Sequence, residues 1–211
     1  VSRPSSEEVV AVTAEALRRN DRYVLEVVEG RNVCPFARGA RVSGRAVREV
    51  LLLERCDEVA VAEAIARYEV GDAGVEVVQL IFPRLVVAPR LFEDFVGRVR
   101  TERALRPGPC PFALAGFHPD FALDLRTADT AVAFFRRAPD PTIQLVRLTA
   151  IDEITRHDPT PAELIERFHR GEPPPPPPIQ ARITRDNYER VRHDGAAAVG
   201  ALLDAIARDR R

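Results

Sequence analysis

Residues 75–82, Val-Glu-Val-Val-Gln-Leu-Ile-Phe, are nearly all apolar. A stretch so short and so apolar reads as a β-strand covered on both faces. Such a strand needs layers on either side, and the flanking sequence supplies them. Residues 49–53 and 112–117 read as two more strands, and 142–148 as a fourth after the Pro139-Asp140-Pro141 turn. Helical patterns lie between them. Asp57 can cap an Ala-rich helix. Pro89 or Arg90 opens another, with Leu91, Phe92, Phe95, Val96 and Val99 on one face, and Thr127 starts a third that runs through Phe134 and Phe135. Alternation of this kind predicts an α/β fold, a single sheet of about four strands flanked by helices. A parallel sheet and a ferredoxin-like antiparallel one both satisfy the pattern.

The two ends are helical. Ser5 and Glu8 have capping-box spacing, and the helix they begin runs to about Val28, with Gly30 as its stop. After the fourth strand, Thr149 begins one short helix, and Thr160-Pro161 with Glu163 begins another. Residues 173–178 are six prolines, a polyproline II spacer of roughly 3 Å per residue or, in a sharper reading, a ligand for an SH3-type domain. Residues 184–208 then read as one helix with Val199, Leu202, Leu203 and Ile206 on one face. That face must pack on the core or on a second subunit, as a homodimer. The organisation expected is a core over residues 1–171, a proline-rich linker over 172–183 and a C-terminal helical tail over 184–211.

Charge narrows the function. The 31 basic and 32 acidic residues nearly cancel, which argues against strong nonspecific nucleic-acid binding. Every basic residue is arginine, so lysine Schiff-base chemistry is excluded, and an anion must be held by arginine, backbone or a helix terminus. No apolar run approaches the roughly 20 residues of a membrane helix. The opening Val1-Ser2-Arg3-Pro4 lacks the basic and apolar regions of a secretory signal, so the chain reads as soluble and cytoplasmic, with no membrane partner. Its 3 cysteines are then expected to be reduced. Neither a Walker A phrase nor G-x-G-x-x-G is present, which speaks against nucleotide enzymes of those types.

Two phrases carry the chemistry. Asn32-Val33-Cys34-Pro35-Phe36-Ala37-Arg38 is echoed by Cys110-Pro111-Phe112-Ala113, and the second copy runs into Phe117-His118-Pro119-Asp120-Phe121. Proline favours the first position of a helix, which puts Cys34 at the N-cap, where unpaired N–H groups favour a thiolate. Such a sulfur is a nucleophile or a metal ligand; the plainer role is a small buried side chain beside Phe36. His118 precedes a proline and is expected to be extended at a strand end. With Asp120 orienting it, His118 would serve Cys34 as proton carrier, as in thiol hydrolases and transferases. The plainer roles are a histidine bonded to backbone and a turn-forming carboxylate. Arg137 and Arg147, with Arg38 and Asn32 beside the cysteine, would bind a small anionic molecule. The alternative for Arg137 is a salt bridge to Asp140 or Asp120.

Metal binding is the rival chemistry. Cys34, Cys110 and His118 could furnish an open zinc site or part of an iron site, and a Cys-Pro thiolate could be an axial haem ligand. No C-x-x-C, H-x-x-x-H or H-E-x-x-H spacing supports it, and the main reading needs no cofactor. Cys56, His157, His169 and His193 are assigned structural or solvated roles.

The phrases also resemble an uncharacterised bacterial family, domain of unknown function family 1415. Asn32, Cys34, Pro35, Phe36, Ala37 and Arg38 match its Asn-x-Cys-Pro-Phe-Ala-basic segment, and residues 117–121 match its Phe-His-Pro-Asp-aromatic segment. Arg137, Pro139, Pro141 and Thr142 match its Arg-x-Pro-x-Pro-Thr turn, Arg147 its strand-ending arginine, and Asn187 and Gly195 a weaker C-terminal pattern. The resemblance implies a site and no established activity. The chain has Arg136 where the family usually has Asn, and Gln144 where His is common, which implies an altered substrate choice; Cys110 lies outside the pattern. The expected function is a cysteine-dependent enzyme acting on a small anionic metabolite. The alternatives are a metal- or haem-binding protein and a non-catalytic interaction module.

Overall fold

The computed structural model describes residues 5–70, 74–122 and 124–210; the opening residues 1–4, read above for a signal, lie outside these. Its centre is one four-stranded sheet: β1 (Ala46–Val50), β2 (Val77–Ile81), β3 (Phe112–Phe117) and β4 (Thr142–Arg147). The spatial order is β1-β2-β4-β3. β1 and β2 are parallel, and β4 runs antiparallel to both β2 and β3. The sheet is therefore mixed. β1 begins three residues earlier than residues 49–53 suggest, because its register is set by pairing with β2, Ala46 opposite Val77.

One face of the sheet is dry. Val78 and Leu80 of β2 and Ile143 and Leu145 of β4 are fully buried beneath α3 (Glu58–Glu69) and α4 (Pro89–Ala104). Asp57 caps α3 as expected, its side chain accepting from the Ala60 N–H. α4 buries Phe92, Phe95, Val96 and Val99, but Leu91 is exposed, since it lies about 90° round the helix from the centre of the buried four. The other face is covered unevenly. Ile81 and Thr142 are buried, whereas Val77, Gln79, Gln144 and Val146 are only half-buried. The two-sided cover expected for residues 75–82 thus holds only at the C-terminal end of β2.

Helices fill the space beyond that end. α1 (Ser6–Arg22), capped by Ser5, does not continue as an α-helix to Val28 but widens into a π-helical segment over Tyr23–Glu29. α5 (Ala128–Phe135) follows a Thr127 capping box. The single tail helix expected over residues 184–208 is two, α8 (Ile179–Asp194) and α9 (Ala196–Arg208), broken at Gly195. Gly195 has φ +82°, a conformation that L side chains rarely adopt. α8 starts directly after Pro178, so the linker is shorter than residues 172–183. Val199, Leu203 and Ile206 of α9 are buried in a cluster with Tyr23, Val27 and Phe134. The apolar face of the tail is therefore filled within the chain. Between β4 and α8 lie α6 (Leu148–Thr155) and α7 (Pro161–His169), the latter closed by a Thr160–Glu163 capping box. α2 (Ala37–Val42) precedes β1. No helix among the described residues is long and apolar enough to cross a membrane.

Candidate functional site

The Cys34 segment is held in an unusual backbone. π-Helical geometry is rare and recurs at functional sites, and here seven residues of it lead into the Asn-x-Cys-Pro-Phe phrase. Gly30 closes the segment because a Cβ there would stand 2.8 Å from the Glu26 carbonyl oxygen and 2.9 Å from that of Leu25. Asn32 follows with φ +49°, the left-handed region that asparagine tolerates better than most residues. α8 clamps the loop. The Asn187 amide donates to the Val33 carbonyl at 2.8 Å, Arg190 donates to the Asn32 carbonyl at 2.6 Å, and Arg31 pairs with Asp194 at 2.6 Å. Asn32 and Asn187 thus act through the backbone. Cys34 is not the N-cap of α2; Phe36 is, and the Cys34 carbonyl accepts the Ala37 N–H in the preceding turn. The sulfur is half-buried.

His118 takes the plainer of its two expected roles. It is 2% exposed, between the rings of Phe92 and Phe121 at centroid distances of 5.6 and 5.7 Å. Nδ1 accepts the Asp120 backbone N–H at 3.1 Å, and Nε2 lies 2.9 Å from the Val87 carbonyl. A carbonyl only accepts, so Nε2 carries the proton and the ring is neutral. Burial lowers its pKa, against smaller raising effects of the Val87 carbonyl and Asp120. Among the described residues no hydrogen bond joins the Cys34 sulfur to His118 or Asp120. Asp120 itself is exposed. Strand alternation explains the separation: His118 points to the α4 side, whereas Phe117, one residue earlier, packs with Val33 on the other.

The expected arginines are also placed. Arg137 donates to the Pro119 carbonyl at 2.9 Å and pairs with Asp204 of α9, in place of the Asp140 or Asp120 bridge considered above. Arg147 lies over the Phe112 ring at 4.6 Å and donates to the Val75 and Tyr68 carbonyls at 2.8 and 3.2 Å. Both guanidinium groups are spent on structure. Arg38 is exposed. The partner of Asp140 is Arg19, and the two are 2% and 1% exposed; burial raises the Asp140 carboxyl pKa despite that cation.

Cys110 and His118 flank β3 at opposite ends, and its 6 residues alone span roughly 20 Å, so one ion cannot touch both. Among the described residues no three His, Cys, Asp or Glu side chains converge on a metal position. Burial raises the thiol pKa of both Cys110 and Cys56, which pack against the first core.

The Cys34 loop reaches the half-covered face through Val33, which packs against the cluster that holds Tyr23 and Phe135. Tyr23 is 1% exposed, and its hydroxyl donates to the Phe135 carbonyl. Burial raises the Tyr23 pKa, with Arg136 and Cys34 both close enough to act on it. The Arg136 guanidinium lies 6.0 Å from the centre of the Phe117 ring. It is half-buried, its pKa is lowered by that burial against smaller raising effects of Tyr23 and Glu93, and among the described residues it has no hydrogen bond or ion pair. Phe117 is opposite Thr142, and the next row on that face is Arg48, Gln79, Gln144 and Ala115. The two glutamines touch across the central strands, at 3.4 Å. Two of the positions at which the chain departs from the family pattern are found here: Gln144 is in this face, and Arg136 lies over its Phe117 ring. Sequence reasoning noted them only as departures. Gln79 and Gln144 had a further signal, as amides within largely apolar strands; Tyr23 had none.

The chain matches, over residues 15–170, the family described as Protein of unknown function (DUF1415), and it belongs to that family. No curated protein and no solved structure matches it.

Proposed function

We propose that the protein is a cysteine-dependent enzyme that acts on a small anionic molecule at the half-covered face of its sheet. Cys34 is the nucleophile, Arg136 holds the anion, and the Gln79–Gln144 pair offers hydrogen bonds to its polar groups. The observation that carries this reading is Arg136. Its half-buried guanidinium makes no hydrogen bond or ion pair with the described residues, so its donors are open to a ligand, and it lies over the Phe117 ring with Tyr23, on which Cys34 also acts, close by. Arg137 and Arg147, in contrast, have their acceptors. His118 has no free nitrogen with which to serve as general base, so this reading assigns it a structural role.

Paired alkylating agents test the proposal. Iodoacetate carries a carboxylate and iodoacetamide does not. At Cys34 the ratio of the two rates should exceed that of a free thiol by roughly tenfold, the effect of one charge-assisted contact. Arg136→Ala should return the ratio to that of the free thiol. A wild-type ratio no higher than a free thiol, or one that survives Arg136→Ala, rules the reading out.

A further inference from the structure

We infer that the protein has a second anion site, for a phosphate group, in a hollow of about 480 Å³ between α1 and the turn after β2. Four guanidinium groups line it, those of Arg18, Arg19, Arg84 and Arg210, with Glu15 as the acidic member and Pro83 in the wall. None of Cys34, Arg136 or Gln144 contributes, so the site is independent of the function proposed above.

Arg19 is the reason to assign a ligand. It is 1% exposed. Its Nη2 reaches both Asp140 carboxylate oxygens at 2.8 Å. Among the described residues Nε and Nη1 are buried with no hydrogen-bond acceptor; Nη1 has an ion pair with Glu15 Oε1 at 3.4 Å, and Nε has no partner at all. Buried donors without acceptors are uncommon and costly. Guanidinium offers donors only, so the missing partner is an acceptor. Around it, Arg18 is turned to Asp209 and Arg84 to Glu8 and Glu54, while Arg210, at the rim, has no ion pair among the described residues. A phosphate group, with three or more acceptor oxygens and up to two charges, can reach Arg19 and Arg210 together. Asp140 answers Arg210 only through space, without a hydrogen bond or ion pair among the described residues, so an anion suits that guanidinium better than a neutral ligand.

Inorganic phosphate is the probe, titrated calorimetrically into the full chain at low ionic strength against chloride controls. Saturable binding is expected. Arg210→Ala should weaken it roughly tenfold and Arg210→Glu abolish it, and Arg136→Ala should leave this Arg210-dependent binding in place. Arg19→Met strands Asp140 and risks misfolding, so the rim variants carry the test, each with its phosphate-free melting temperature compared with that of wild type. Absent binding, binding indifferent to both rim variants in folded protein, or binding lost with Arg136→Ala would each overturn the assignment.

Discussion

His118 and Cys34 stand in equally prominent phrases, and the fold treats them in opposite ways. Around His118 both ring nitrogens are bonded to backbone, two phenylalanine rings lie tilted against the imidazole, and Arg137 and Arg147 nearby or along the strand have their acceptors. On the Cys34 side the backbone is clamped by α8, but Cys34 is half-buried, and the Arg136 guanidinium has no hydrogen bond or ion pair among the described residues. A set of groups that is already satisfied has nothing left to offer a ligand. The contrast teaches that a reactive residue type identifies a site only when its bonding capacity is unspent.

The largest expected effect lies on the satisfied side. His118→Ala removes a buried ring and leaves the Val87 carbonyl and the Asp120 N–H without partners. It should cost about 3 kcal/mol in urea denaturation, with the iodoacetate preference at Cys34 intact in the folded fraction. A variant of wild-type stability that loses that preference would collapse the contrast. Next comes pH. The folded His118 has a lowered pKa, so below the ordinary histidine value of about 6.5 the unfolded chain binds the proton more readily. Stability should therefore be full above that pH and fall as the pH drops from about 7 towards 5. His118→Asn should flatten this part of the profile; an unchanged slope would mean that another group titrates there.

Asn32→Ala should cost about 1 kcal/mol, the strain of a left-handed residue, and Asn32→Gly only a few tenths, read as shifts in melting temperature. Equal losses would point to a side-chain role for Asn32 and sharpen the Cys34 side. The smallest effect on stability belongs to Arg136→Ala, less than about 1 kcal/mol for its ring contact, although it is the variant expected to lose anion preference. Peptide mapping after brief iodoacetamide treatment at neutral pH should find Cys34 modified before Cys56 and Cys110, because burial keeps those two as thiols. Equal labelling of all three would remove the special standing of Cys34.

Much of this architecture was legible in the chain. β3 and α5 fall where the apolar runs and the Thr127 cap put them, and the alternation of patterns led to one four-stranded α/β sheet. These features depend on neighbours within a few residues, and propensity, capping and periodicity are local. The Cys34 phrase marked a segment that the fold does hold in a special conformation, since a left-handed Asn32 and a crowded Gly30 leave traces in residue type.

Tertiary structure decided the rest. The insertion of β4 between β2 and β3 is a long-range pairing with no local signature. The facing of His118 away from the Cys34 side follows from strand alternation combined with which helix covers which face. The partners of Arg19 and Arg137, and the lack of a hydrogen-bond partner for the Arg136 guanidinium among the described residues, were also beyond the sequence, because an arginine reads the same whether its donors are satisfied or free. Only packing determines which acceptors come within reach, and so which side chains are left with chemistry to do.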